Sequence, residues 1–112
     1  MNYIAMNRFQ VEKADCQAFE TMWQQRESYL DEMSGFVSFY LLRGPERDGQ
    51  VLYSTHTVWA TKADFEAWTK SEAFRKAHAR AGEAGKRLFV GHPQFEGFEA
   101  IQTQLPGERS AA

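Results

Sequence analysis

FVSFYLLRGPERDGQVLYSTHTVW, residues 36–59, is the stretch on which the fold turns. Its ends, FVSFYLLR (36–43) and VLYSTHTVW (51–59), are rich in β-branched and aromatic residues, and GPERDG (44–49) between them collects Gly, Pro and Asp. That composition predicts two strands joined by a turn. The first strand is apolar on both faces, with Phe36, Tyr40 and Leu42 on one and Val37, Phe39 and Leu41 on the other. Helices can cover only one face of such a sheet. An apolar patch left on the other marks an interface, and a homodimer packed sheet against sheet is the expectation.

Working outward, YIAMNRFQV (3–11) alternates, placing Tyr3, Ala5, Asn7, Phe9 and Val11 on one strand face. The period then changes. Phe19, Met22, Trp23, Arg26, Leu30 and Met33 follow helical spacing, and Gly35 stands where a C-cap glycine belongs. Beyond the hairpin, Thr61 with Asp64 three residues on is a variant capping box opening a helix with Phe65 and Trp68. Ser71 is a second N-cap residue, which predicts a break and a short helix from Glu72 to about Arg80. AGEAGKRLFVGHPQ (81–94), with three glycines and a proline, predicts a long loop, and FEGFEAIQT (95–103) the last strand. The order β-α-β-β-α-β is that of a ferredoxin-like α+β fold. It is expected to occupy residues 1–103, with 104–112 as a flexible tail.

At 112 residues the chain has room for one domain, and its 43% hydrophobic and 25% charged content fits a globular protein. The net charge of −2 supplies no basic field, so nucleic acid is not an expected partner. Cys16 is the only cysteine, which excludes an internal disulfide and suits a cytoplasmic setting. MNYIAMNRF lacks the pattern of a signal peptide, and no apolar run approaches the ~18 residues of a membrane span, so no membrane association is expected.

Several chemistries are missing. CxxC, HExxH, GxGxxG and GxSxG do not occur, and Cys16 has no His near it in sequence. Asp31 and Glu32 are adjacent and point apart, as on a solvated face. What remains is a set of three residues. Asn7, on the inner face of the first strand, either satisfies a backbone group or donates into a pocket. His78 follows Phe74 by one helical turn among small and apolar neighbours; it is either a packing histidine or a ligand. His56, mid-strand, and His92, before Pro93, have no helper in sequence. On one straight helix Trp68 and His78 would stand about 80° and ~15 Å apart, whereas a kink at Ser71 lets both segments fold around a common cavity.

With these residues in hand, the chain resembles the IsdG-type haem-degrading monooxygenases of the antibiotic biosynthesis monooxygenase superfamily. The matching pieces are Asn7, SGFVSFYLLR (34–43), TVW (57–59) and DFEAWTKSEAFRKAH (64–78). The GF-x-x-F-x-LLR element is shared across the superfamily, while Asn7, Trp68 and His78 together are more specific. The resemblance implies a dimeric α+β barrel. It implies His78 as axial ligand to haem iron, Asn7 as a hydrogen-bonding group on the distal side, and Trp68 as the residue that presses on the porphyrin. Arg26 would reach a propionate, and Trp23 would line the same helix face. Haem would be both cofactor and substrate, opened with O2 and electrons from an external donor such as a reductase, with iron released.

Two other readings stay open. Superfamily members that oxidise polycyclic phenols without a metal also use Asn and Trp, and need no counterpart of His78. A haem-binding protein that stores or delivers its ligand without turnover would keep the same residues.

Overall fold

The structure is a computed structural model; it describes residues 1–26, 28–83 and 88–107, and the side chains of all these except 78–83. Four strands, β1 (Tyr3–Glu12), β2 (Phe36–Arg47), β3 (Gln50–Trp59) and β4 (Val90–Glu99), form one antiparallel sheet of order β2-β3-β1-β4. Helices α1 (Cys16–Gln25), α2 (Lys62–Thr69) and α3 (Glu72–Glu83) complete the ferredoxin-like α+β arrangement. The alternation in β1 holds: Tyr3, Ala5, Phe9 and Val11 are buried on the helix-covered face.

The two strands of the hairpin pair as expected, but the turn is shorter than GPERDG suggests. Arg47 pairs with Gln50, so only Asp48 and Gly49 turn the chain, at φ 54° and 77°. Two left-handed residues form the hairpin turn whose twist matches the strands. Gly44 and Pro45 fall within β2, where the register shifts between Arg43 and Glu46. Because β2 is an edge strand, the missing proline N–H costs no ladder bond.

A second irregularity reassigns the faces of β2. The register also shifts between Phe36 and Ser38, so Val37 is an extra residue in the strand. A bulge of this kind inverts the alternation on one side of it. Phe36 therefore joins Phe39 and Leu41 on the inner face, while Val37, Tyr40 and Leu42 are 54%, 54% and 40% exposed. Both faces remain apolar, with different members.

The helical pattern of 19–33 proves to be two elements. α1 ends at Gln25, Arg26 turns extended with ψ 129°, and Leu30–Glu32 form one 3-10 turn after Tyr29 at φ 62°. The Leu30 N–H donates to Ser28 Oγ at 3.4 Å, a local bond that competes with helix continuation. Leu30 is still buried, as its spacing suggested, but through a bend. Gly35 consequently caps no helix. It stands at φ 82° before β2, where a Cβ would lie 2.2 Å from the Asp64 side chain.

Near the C-terminus, α3 runs three residues past Arg80, and β4 begins at Val90 rather than Phe95 and ends at Glu99 rather than Thr103. The predicted loop thus shrinks, and its residues 84–87 lie outside the described residues. Gly91, at φ 69°, and Pro93 fall where the β1–β4 register shifts, again on an edge strand, so a bulge absorbs the loop-like composition. Leu105, Pro106 and Gly107 are exposed and in no strand; residues 108–112 of the expected tail are outside the described residues.

Candidate functional site

The inner face of the sheet is apolar at both ends and polar in the middle. One core cluster gathers Tyr3, Ala5, Leu30, Trp59, Trp68 and Ala77; a second gathers Phe9, Val11, Phe19, Val51 and Tyr53. Along β1 the sequence passes from Ala5 to Phe9 through Asn7. Along β3 it passes from Tyr53 to Trp59 through Thr55 and Thr57. Asn7 pairs with Thr55, so the polar positions of the two strands meet. The two clusters do not merge there; a cavity of about 270 Å³ opens between them.

Asn7, Trp23, Arg26 and Trp68 all line that cavity, so four residues singled out in the sequence come together. The Asn7 backbone N–H donates to Thr55 Oγ1 at 3.2 Å, while its side-chain amide makes no hydrogen bond among the described residues. Trp23 stacks on Phe39 at 5.9 Å, and the Arg26 guanidinium carbon lies 4.4 Å from the Trp23 ring centre. That cation–π contact holds the only charged side chain of the described lining. Desolvation by burial lowers the pKa of Arg26 from its usual value; a guanidinium nevertheless stays protonated at neutral pH.

α1 is held to the sheet one turn before Trp23. Glu20 accepts hydrogen bonds from the Tyr53 hydroxyl and from Arg43, the latter at 3.1 Å. Burial first, and then the bond to Glu20, push the Tyr53 hydroxyl well above the usual phenol range, so it remains a donor.

The break at Ser71 is present, and one side chain makes both of its joints. Ser71 Oγ donates to the Trp68 carbonyl at 2.7 Å and accepts the Phe74 N–H at 3.0 Å. It terminates α2 and caps α3 together. Thr61 caps α2 as expected, accepting the Asp64 N–H at 3.1 Å. Trp68 packs on Trp59 at 6.1 Å and meets Phe74 edge-on at 5.4 Å, and both Trp68 and Phe74 face the cavity. Position 78 lies in α3 one turn after Phe74; its side chain is outside the described residues.

Sequence reading missed Thr55, Thr57, Phe39, Trp59 and Phe95 as lining residues. Thr55 and Thr57 share the parity of Tyr53 and Trp59, and a polar pair inside an otherwise apolar row was the available signal. Phe95, 51% exposed, stacks on Phe65 at 5.6 Å. Its place depended on the β4 register. His56 contacts Tyr40 at 5.8 Å on the other face, and His92 lies by Arg8 and Gln10 at the β4 bulge, so neither reaches the cavity.

Trp23 Nε1, Arg26 Nε and Trp59 Nε1 are buried N–H groups with no partner among the described residues, and all three side chains line the cavity. Arg26 and Ser28 also line a neighbouring open recess with Tyr29, Asp31 and Glu32, which marks the side on which the site opens. The site is an aromatic slot with an amide and two hydroxyls on its floor and one cation at its mouth.

Comparison with known proteins adds an independent line. Residues 2–80 match the family model described as antibiotic biosynthesis monooxygenase. A haem-degrading monooxygenase of Shouchella clausii is 42% identical over 77 residues, covering 69% of this chain and 70% of that protein. SnoaB, a cofactor-independent oxygenase from Streptomyces nogalater, superposes with TM-score 0.62 at 28% identity, covering 94% of this chain and 97% of its own. A variant of MhuD with two manganese protoporphyrin IX molecules per active site superposes with TM-score 0.72. At 21% identity, over 94% of this chain and 99% of its own, that likeness bears on the fold alone. The chain belongs to the antibiotic biosynthesis monooxygenase family.

Proposed function

We propose that this protein is a haem-degrading monooxygenase that binds haem as its substrate, opens the porphyrin with O2 and electrons from an external donor, and releases iron. The observation that carries this reading is the aromatic slot with the Asn7 amide on its floor and the half-buried Arg26 guanidinium at its mouth. Haem is flat and apolar with two carboxylates, and it matches that lining. A 42% identical relative that is a haem-degrading monooxygenase supports the same substrate. At about 270 Å³ the cavity is just below the usual ligand-site range of roughly 300–1,000 Å³, so a macrocycle would fill it and extend past Arg26 and Ser28.

The residues divide the work. Arg26 would receive a propionate at its half-buried guanidinium, and Trp23 holds that guanidinium in place. Trp68, fixed between Trp59 and Phe74, presses on the macrocycle. Asn7 would offer a neutral hydrogen-bond donor to the bound group, and His78 would hold its iron. Bound haem would supply the redox centre at which O2 is activated, and the aromatic walls keep bulk water away from it.

Adding hemin to the purified chain, and then ascorbate or a reductase under air, tests the proposal. The expected result is a Soret band that decays on reduction with release of iron. A stable Soret band would mean storage or delivery instead. No Soret shift would remove haem, and would favour the cofactor-independent chemistry that the 28% identity to SnoaB keeps as the second reading.

The assembly follows from the outer sheet face. Val37, Tyr40 and Leu42 on β2 and Phe98 on β4 leave 40–54% of their surface exposed, too much aromatic and aliphatic area for a free sheet. We take the protein to be a cytoplasmic homodimer closed sheet to sheet. Light scattering at micromolar concentration should give twice the chain mass, and a stable monomer would refute the pairing.

A further inference from the structure

We propose that Thr55 is a second hydrogen-bond donor on the floor of this site, acting beside Asn7 on an oxygen acceptor of the bound ligand. Thr55 lies at the centre of β3, pairs directly with Asn7, lines the cavity and is only 4% exposed. A threonine hydroxyl has one proton to donate and can accept two hydrogen bonds. Here Oγ1 accepts the Asn7 backbone N–H at 3.2 Å, so an acceptor position is taken. Its proton has no acceptor among the described residues. The hydrogen bonds made around Thr55 do not offer one: the Asn7 N–H is itself a donor, and the Ser54 hydroxyl donates to the Thr55 carbonyl at 3.1 Å.

A buried hydroxyl proton with no protein acceptor, on a residue lining a cavity, is directed to whatever fills that cavity. Accepting the Asn7 N–H also polarises the hydroxyl and strengthens it as a donor. The same bond ties the Thr55 hydroxyl to the backbone that carries the Asn7 amide. The floor then presents two neutral donors from adjacent strands, neither of which carries the charge that a lysine or arginine would bring. Such a pair suits an oxygen atom that becomes partly negative during reaction, because preorganised neutral donors stabilise it without delivering a full proton.

This inference rests on the haem reading, and its test separates the two. Wild type, Thr55→Val and Thr55→Ser are compared by hemin titration, by the C–O stretching frequency of the ferrous carbon monoxide complex, and by turnover. Val keeps the branched shape and removes the donor; Ser keeps the donor. Thr55→Val is expected to bind hemin with nearly wild-type affinity, to move the C–O stretch to higher wavenumber, and to lower kcat about tenfold with little change in KM, the size of one lost hydrogen bond. Thr55→Ser should restore the frequency and most of kcat. Thr55→Ala serves as the donor-free variant should Val not fold. A wild-type frequency and kcat in the donor-free variant would overturn the role of Thr55 while leaving haem degradation standing. A wild-type chain that binds no hemin would overturn both.

Discussion

On the ligation proposed for His78, His78→Ala is expected to abolish haem turnover and to weaken haem binding by tenfold or more, since the iron would lose its protein ligand. α3 carries position 78 one turn beyond Phe74, whose ring lines the cavity. Residues four apart on a helix share a face, which brings position 78 to the side of α3 that borders the slot. The change should leave stability nearly untouched, as measured by urea unfolding. A lost packing histidine would instead lower stability and leave the Soret spectrum of the complex unaltered. Free imidazole added to the variant should restore part of the spectrum by occupying the vacated position. Degradation by His78→Ala at the wild-type rate would remove the ligand assignment and move the weight to the cofactor-independent reading.

Trp68→Ala should cost about 3–5 kcal/mol of stability, the usual range for deleting a buried indole. Trp68 is 7% exposed and bridges Trp59, which is fully buried, to Phe74, so its removal opens the core cluster that seats both α2 and α3. Against a total of roughly 5–15 kcal/mol for a domain, that loss is close to unfolding. Trp68→Phe fills part of the space and should cost roughly 1–2 kcal/mol, since the penalty follows the cavity left behind. The Phe variant therefore isolates the second role. If the indole presses on the macrocycle, Trp68→Phe stays folded and binds hemin, with slower turnover and an altered visible spectrum. Urea unfolding showing less than about 1 kcal/mol lost in Trp68→Ala would contradict the packing account.

Local chemistry made much of this legible. The alternation of Tyr3, Ala5, Asn7, Phe9 and Val11 needed only the two-residue period of a strand, and the structure buries its four apolar members. The Ser71 break was visible because a hydroxyl that can both accept an N–H and donate to a carbonyl competes with a continuous helix, and it does both. Asn7 and Trp68 stand out in the sequence itself, Trp23 and Arg26 only through the family resemblance, and the cavity joins the four. The misses share a different cause. The bulge at Val37 inverted the faces of β2, and a bulge is a property of a pair of strands, not of one. The β4 register, which brings Phe95 over Phe65, depended on pairing with β1 far away in sequence. Thr55 and Thr57 look like ordinary strand formers until the partner strand shows that they stand opposite Asn7.

By itself the sequence determined the order of elements, the inner face of β1, the caps at Thr61 and Ser71 and the residue types available for chemistry. Each of these is set by periods and hydrogen bonds that span only a few residues. Tertiary structure alone decided that Trp23, with Arg26 over its ring, stacks on Phe39 of β2. It also decided that two apolar clusters stop short of each other, because the polar middles of β1 and β3 are in register. A cavity is what packing leaves unfilled, and that depends on which distant side chains meet.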